Sequence, residues 1–448
     1  MATIHITKGH NLVLAGSPEK SLNKLDAPKT IKIVPDDFNG IKPKLLIKQG
    51  DNVSIGDKLF FDKNNPDVFF CSPASGIIEE VNLGARRKLE YIQISNENND
   101  YSYIKEDITS QKLDRDSIIN TMLKHGLWPF LRQRPFSKIA NPKDTPKSIF
   151  ISAMPTAPFS MDMEFVLSDD CSGLSKGIEV LNILTSGDVN IVTEKNKDYS
   201  IFNGIDNFVQ HEFSGPHPAG NTGIHIHHVD PISSRDDTVW YISLQDLNDL
   251  GKFFNEGVYP VDKCISVGGS HVSKPAYYKI RKGTLIEDIL KDIEEDDQCI
   301  YISGDVLSGV RKETNMPISF YHETLSVVNH VKKRDFLGWI LPGLKKYSLS
   351  RTFLSSIFNK SPIHMDTRIN GSRRAIIPFG RWEAMLPMDL MPDFIVKSII
   401  ARDIEDMEKY GIYECDHEDF ALCAYACQSK VEVSKIVKEG LEFIEREG

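Results

Sequence analysis

The residues best suited to chemistry lie in three short clusters. Residues 215–228 read Gly-Pro-His-Pro-Ala-Gly-Asn-Thr-Gly-Ile-His-Ile-His-His, placing four of the 13 histidines in fourteen positions. The glycines and prolines forbid a helix through Gly223 and predict an irregular loop. Beyond it the alternation over 224–229 predicts a short strand, with His225 and His227 on one face and Ile224 and Ile226 on the other. Two imidazoles on one face could hold a metal, shuttle a proton or stack on a cofactor. Equally, they are what a half-buried strand carries, and no carboxylate or cysteine at a matching offset completes a metal set. His217 belongs to the same cluster.

The second cluster is Trp128 to Lys138, where Trp128, Phe130 and Phe136 alternate with Arg132, Arg134 and Lys138 around two prolines. Its composition predicts an irregular, adaptable surface for an anionic or aromatic ligand or a partner protein. The alternative is a basic loop lying on its own domain. The third cluster spans 415–427 and holds Cys415, His417, Cys423 and Cys427. Three thiols and a histidine could ligate zinc or an iron–sulfur cluster. The wrapped C-x₂-C-x₂-C run is missing, and Cys423 and Cys427 are one helical turn apart. Buried thiols are therefore expected rather than a metal, with Cys423 and Cys427 the weak candidates.

The elements that must position these clusters are also visible. Residues 1–28 read as an arm with a short strand over 5–8. Residues 29–100 show six short apolar runs punctuated by turn signals, from Ile31–Val34 to Tyr91–Ile94. Paired Gly50-Asp51 and Gly56-Asp57 turns, and a return strand opened by Pro73 and Gly76, resemble a biotinyl/lipoyl-like hammerhead. A carrier would need a modified lysine at a hairpin tip, and the nearest candidate, Lys63, is asymmetrically placed. Residues 101–260 read as a Rossmann-like βαβ domain: a strand over 149–154, a helix through Leu174, Ile178, Leu181 and Leu184, and a strand over 189–193. The first strand leads into Pro-Thr-Ala-Pro, so a glycine-rich dinucleotide turn is not supplied. Residues 261–335 resemble a ubiquitin-like β-grasp module, with a helix through Leu285, Ile289 and Ile293. Residues 336–448 read as helical. One helix starts at Pro392, carries Ile395, Ile399, Ile400, Ile404 and Met407 inward, and ends at Gly411. A last helix has Val433, Ile436, Val437 and Ile444 on one stripe.

The totals exclude some functions. The 448 residues carry a net charge of −10, which argues against nucleic acid or anionic lipid as the main partner. No apolar run approaches membrane-spanning length. The seven scattered cysteines and a polar N-terminus suit a reducing cytosol. No nucleophile–base pair or carboxylate dyad stands out, so no independent catalytic activity is expected.

Several uncommon motifs in order carry a family resemblance: Ile-Thr-Lys-Gly near the N-terminus, Gly-Leu-Trp, Arg-Pro-Phe-Ser-Lys, Gly-Pro-His-Pro-Ala-Gly, and Ile-Ser-Gly-Asp-Val-Leu-Ser-Gly at 302–309. They continue through Leu-Gly-Trp at 337–339, Pro-Gly, Asn-Gly-Ser-x-Arg at 370–374, Leu-Pro-Met-Asp at 386–389 and Ala-Leu-Cys-x-x-x-Cys. Together they resemble the NqrA family of the bacterial sodium-translocating NADH:quinone oxidoreductase. The resemblance implies a peripheral subunit on the cytoplasmic side of the inner membrane, held by the membrane subunits of a six-subunit complex. That complex uses NADH, FAD, FMN, iron–sulfur centres and ubiquinone, and exports sodium.

The family is similar in layout to the flavoprotein subunit of respiratory complex I and to the C subunit of the Rnf complex. Trp128–Lys138 stands where the complex I relative has its flavin loop, and only Cys423 and Cys427 match cluster cysteines. The implied subunit therefore binds no redox cofactor itself and supports the quinone-reducing half. Trp128, Arg132, Arg134, Phe136, Lys138, His217, His225 and His227 are the expected quinone or interface residues. A docking scaffold without quinone contact is the alternative.

Overall fold

The computed structural model describes all residues except 1, 99, 104, 111, 292–298, 332–339, 345 and 359–361. The Leu-Gly-Trp motif at 337–339 and Ile293 lie outside the described residues. The chain is a mixed α/β, multidomain protein, with described strands forming sheets of seven, six, four and three members.

Five of the six short apolar runs of the N-terminal region become strands, whereas Leu45–Ile47 is strand only at Leu45 and the strand Asn52–Val53 is not among them. Thr30–Ile33, Leu89–Ser95, Gly76–Leu83 and Asn52–Val53 form the four-stranded sheet. Pro43–Leu45, Lys58–Asp62 and Asn65–Cys71 form the three-stranded one. Alternation buries Ile78, Ile92 and Ile94 between them while their neighbours face out. Lys63 sits exposed in the turn between the strands Lys58–Asp62 and Asn65–Cys71.

The N-terminal arm is not an arm. Thr3–His5 pairs in parallel with Val209–Ser214, and Glu19–Lys24 pairs in parallel with Ala276–Arg281. The first residues thus complete two different sheets. Strand hydrogen bonds to distant partners cannot be read from local pattern.

The seven-stranded sheet runs Thr3–His5, Val209–Ser214, Val189–Glu194, Ser148–Ser152, Val239–Tyr241, Arg132–Arg134, Lys138–Ile139. The first five are parallel and the last two antiparallel. Chain order runs outward from Ser148–Ser152 on one side and then returns to Val239–Tyr241 on the other. The order reverses between these two strands, where α/β sheets open a crevice at their carboxyl ends.

Helices Leu174–Leu184 and Leu244–Glu256 cover one face, crossing where glycines let backbones touch. A Cβ on Gly251 would sit 1.8 Å from the Gly173 carbonyl oxygen, and one on Gly177 2.5 Å from that of Leu247. Neither backbone has positive φ, so close approach alone excludes a side chain. Elsewhere in a helix Gly→Ala is stabilising. Here Gly251→Ala should destabilise by about 1–3 kcal/mol, read from urea unfolding midpoints.

The six-stranded sheet orders Val310–Lys312, Cys299–Ser303, Thr324–Asn329, Asp262–Gly268, Ala276–Arg281 and Glu19–Lys24. Its helix is Ile286–Leu290. The last region is less helical than its pattern suggests. Between 340 and 391 only Ser355–Phe358 is α-helical among the described residues. The expected long helix is two, Pro392–Ala401 and Ile404–Lys409, broken at Arg402 with φ +58°. Ile400 faces outward, one position past buried Ile399 on the first helix, whereas Ile395, Ile399 and Met407 are buried. Val433–Glu447 is the expected last helix, burying Val433, Val437 and Ile444.

Candidate functional site: a cleft at the sheet's reversal point

A cavity of about 750 Å³ opens at the carboxyl ends of Ser148–Ser152 and Val239–Tyr241. Its walls come from every part of the chain: Asp36 and Tyr91, Arg132 and Phe136, Ser152 and Ser243, Tyr321 to Thr324, and His417 and Lys438. The parallel strands aim their last residues into it, as the order reversal dictates.

Arg132 is the most informative side chain. It stands opposite Tyr241 in the antiparallel pair. Its guanidinium lies 4.4 Å from the ring centroids of both Tyr241 and Tyr321. Its Nε has no hydrogen-bond partner, and no ion pair to it is found among the described residues. Two rings supply cation–π attraction in place of an anion. Tyr321 is itself fixed, donating to the Pro129 carbonyl at 2.7 Å. Burial pushes the Tyr241 and Tyr321 hydroxyls up, so both rings stay neutral. Beside them burial raises the Glu323 carboxyl, whose Oε1 is unpartnered, and lowers His322 to about 4. The cleft wall therefore carries a flat cation between two neutral rings, the equipment for a planar ligand with carbonyl or anionic oxygens.

One face of the cleft is held by a buried ion cluster. Arg134, 1% exposed, pairs with Asp416 at 2.9 Å, Glu418 at 2.7 Å and Asp419 at 3.4 Å. Ser137 donates to Asp416. Desolvation opposes ionisation, yet Arg134 holds the Asp416 carboxyl well below the usual range. Asp419 goes the other way: burial, with its acidic neighbours, pushes it up to about 7. One arginine thus keeps one buried carboxylate fully charged, not two. Asn221 donates to Asp419 at 3.3 Å, and a Cβ on Gly223 would fall 2.2 Å from it. The glycine is there to let the carboxylate in.

The expected site residues separate into those at the cleft and those beneath it. Arg132, Phe136 and Lys138 line it, and Lys138 pairs with Glu445. Trp128 is fully buried, donating to the Ala140 carbonyl at 2.6 Å and meeting Trp240 edge-on at 5.5 Å. The predicted irregular surface is instead a 3₁₀ turn over Trp128–Phe130 followed by the two sheet strands. Arginine stems and aromatic rings made that stretch look like surface, but long-range strand pairing turned it inward.

The histidine cluster is also corrected. Thr222–Val229 is a helix, not a strand. Its i to i+2 spacing puts His225 and His227 on different faces. His225 is fully buried, bonded through Nε2 to the Ala219 carbonyl at 2.8 Å, and desolvation lowers it to about 3. His227 bonds Glu414 at 2.5 Å and accepts from the Asp389 amide at 2.9 Å. His217, also buried, lies 3.2 Å from the Thr156 hydroxyl. Only Gly220, Asn221 and Thr222 of that segment reach the cleft.

Cys423 and Cys427 are buried, the first 3.5 Å from the Trp382 carbonyl and the second accepting from the Val431 amide at 3.4 Å. Desolvation raises the Cys423 thiol, the opposite of what a metal ligand needs. Among the described residues no group of three or more His, Cys, Asp or Glu is placed to hold a metal ion. The cleft residues overlooked in the sequence are Tyr241, Tyr321, His322 and Glu323. The run Phe-Tyr-His-Glu at 320–323 was the available signal for the last three.

Three family models match the chain: "NqrA N-terminal barrel-sandwich hybrid domain" over 4–97, "NqrA second alpha/beta domain" over 113–259, and "NQRA C-terminal domain" over 264–313. The NqrA protein of the Na(+)-translocating NADH-quinone reductase from Marinomonas sp. (strain MWYL1) is 36% identical, covering 99% of each chain. Its counterparts from Klebsiella pneumoniae and Pasteurella multocida are 34% and 35% identical over 99% of this chain and 100% of their own. An NAD+-reducing nickel–iron hydrogenase structure aligns over 77% of this chain and 63% of its own at 12% identity and a TM-score of 0.40, too loose a likeness to support an argument. Identity above 30% along the whole length, with three family domains in register, places this chain in the NqrA family of Na(+)-translocating NADH-quinone reductase subunits.

Proposed function

We propose that this chain is the peripheral subunit that supports the quinone-reducing half of a sodium-pumping NADH:quinone oxidoreductase, on the cytoplasmic side of the inner membrane. In this reading NADH, FAD, FMN and iron–sulfur centres belong to other subunits, the membrane subunits hold this one in place, and this chain carries no redox cofactor. The division into a lipoyl-like domain to 100, a Rossmann-like domain to 260, a β-grasp module to 335 and a C-terminal domain belongs to the same proposal. Among the described residues no helix is long and apolar enough to cross a membrane, which agrees with a peripheral place.

The observation that carries the quinone contact is Arg132. A quinone head needs flat walls and one or two donors aimed at its carbonyl oxygens. Arg132, between two tyrosines in the cleft, supplies both. Ubiquinone is the ligand this predicts. Photolabelling of the intact complex with a reactive quinone analogue tests it: label on Arg132–Lys138 or on 321–324 is expected, and label confined to other subunits overturns the contact. Arg132→Leu should raise the quinone KM roughly 10- to 100-fold, the worth of a hydrogen bond from a charged donor, and leave NADH oxidation by an artificial acceptor unchanged. The second reading, a docking scaffold without quinone contact, draws on the Arg134 cluster, which locks strand Arg132–Arg134 to residues 416–419 irrespective of ligand.

A further inference from the structure

Charge and apolar exposure are distributed unevenly along this chain. Residues 332–381 contain eleven Lys and Arg against two Asp and no Glu, within a protein whose net charge is −10, and six of those cations with one Asp are among the described residues. Eight of the seventeen exposed large apolar side chains among the described residues fall in the same fifty positions. Elsewhere among the described residues exposed apolar side chains are sparser, and the largest group, Met391, Phe394 and Ile400, lies on one helix and its N-cap.

The two properties coincide in two places. Residues 341–357 close on themselves: the Leu354 amide donates to the Pro342 carbonyl at 3.0 Å, and Ser355 bonds the Lys346 carbonyl. Tyr347, Ile363 and Met365 pack inward against Leu12 and Leu14. Leu341, Leu344 and Ile357 are left outside, 51%, 60% and 69% exposed. The second place is 369–380, which has no helix or strand. It is pinned by the Arg374 amide to the Ser429 carbonyl at 2.9 Å and by the Ser429 hydroxyl to Ala375. Ile369, Ile377 and Phe379 are exposed there beside Arg373 and Arg374. Asp366, one of the two acidic residues, is neutralised by Arg368 at 2.6 Å.

We propose that the two cationic, apolar patches formed by the described residues between 340 and 381 dock on an anionic phospholipid bilayer surface. Lysine and arginine meet phosphate headgroups while Ile, Leu and Phe enter the interface. Charge decides against the alternative, the cytoplasmic loops of a membrane subunit. Those loops carry an excess of Lys and Arg, which repels a surface of this sign. The inference rests on the peripheral, cytoplasmic place proposed above, but not on quinone binding.

The test uses the purified full-length chain with quinone-free vesicles, either phosphatidylcholine alone or phosphatidylcholine with phosphatidylglycerol. Co-sedimentation with the anionic vesicles only, weakening as salt rises, is expected. Arg373→Ala with Arg374→Ala should lower the partition coefficient about 25-fold, at roughly fivefold per cation. Leu344→Ser with Ile357→Ser should weaken it further. The control pair Lys48→Ala with Lys112→Ala, exposed elsewhere, should change nothing. Thermal midpoints must match the parent, which exposed substitutions allow. The proposal is overturned by no binding to anionic vesicles, by equal binding to phosphatidylcholine, by equal loss in the control pair, or by capture solely on membranes that carry the other subunits. None of these outcomes bears on the Arg132 contact.

Discussion

Replacing Arg134 with alanine is expected to cost about 3–5 kcal/mol of unfolding free energy and to free residues 416–419 from the seven-stranded sheet. The cost arises from what remains. Asp416 and Asp419 are 2% and 0% exposed, so removing the guanidinium leaves Asp419 buried with no cation and Asp416 with His417 alone. The effect has a definite pH dependence. In the parent the folded Asp416 carboxyl is held below its unfolded range. Its stabilisation is therefore complete above about pH 4 and lost only as pH falls below that. In Arg134→Ala the same buried carboxyl keeps only Ser137 and His417, so its folded pKa rises. The deficit is then full at high pH and shrinks as protonation relieves it. Urea unfolding of both proteins at pH 8 and pH 5 should show a smaller difference at pH 5. An unchanged difference would mean that protonated His417 alone keeps Asp416 charged. Arg134→Lys should rescue only in part, since a single ammonium cannot reproduce the fork that serves three carboxylates.

The Trp128→Ala variant should lose about 3–5 kcal/mol, as large-to-small changes in packed cores do. Trp128 is fully buried and belongs to the large cluster with Leu131, Ile149 and Trp240. Trp128→Phe separates packing from hydrogen bonding: it keeps most of the ring but loses the Nε1 bond to the Ala140 carbonyl. That should cost about 1–3 kcal/mol, the penalty of a buried acceptor left without its donor. Chemical denaturation of the two variants checks both values. A loss below about 0.5 kcal/mol for Trp128→Ala would return this residue to the surface role that its sequence neighbourhood suggests.

These two residues also show where sequence reasoning stops. Local pattern was enough for strands such as Lys58–Asp62 and Cys299–Ser303 and for helices such as Leu174–Leu184 and Val433–Glu447. Each declares itself by the period of its apolar residues and by its turn chemistry. Ordered motifs were enough for the family. Pattern failed at Thr222–Val229, where a β-like alternation became a helix because Asn221 and the loop before it start one and Ile224, His225 and Ile226 are all buried. It failed at Thr3–His5 and Glu19–Lys24, whose partners lie more than 200 residues away.

The sequence by itself determined which side chains could do chemistry: the arginines and aromatics of 128–138, the histidines of 215–228 and the thiols of 415–427. Tertiary structure decided which of them are available. It put Arg132 between Tyr241 and Tyr321 at the cleft, while Arg134, two residues along the same strand, lies beneath Asp416. Trp128, His225 and Cys423 it sealed in the core. The physical reason is that exposure and electrostatic partners are set by contacts between segments far apart in the chain. Composition and spacing record only a residue's own capacity, whereas desolvation and neighbouring charge determine its protonation and its reach.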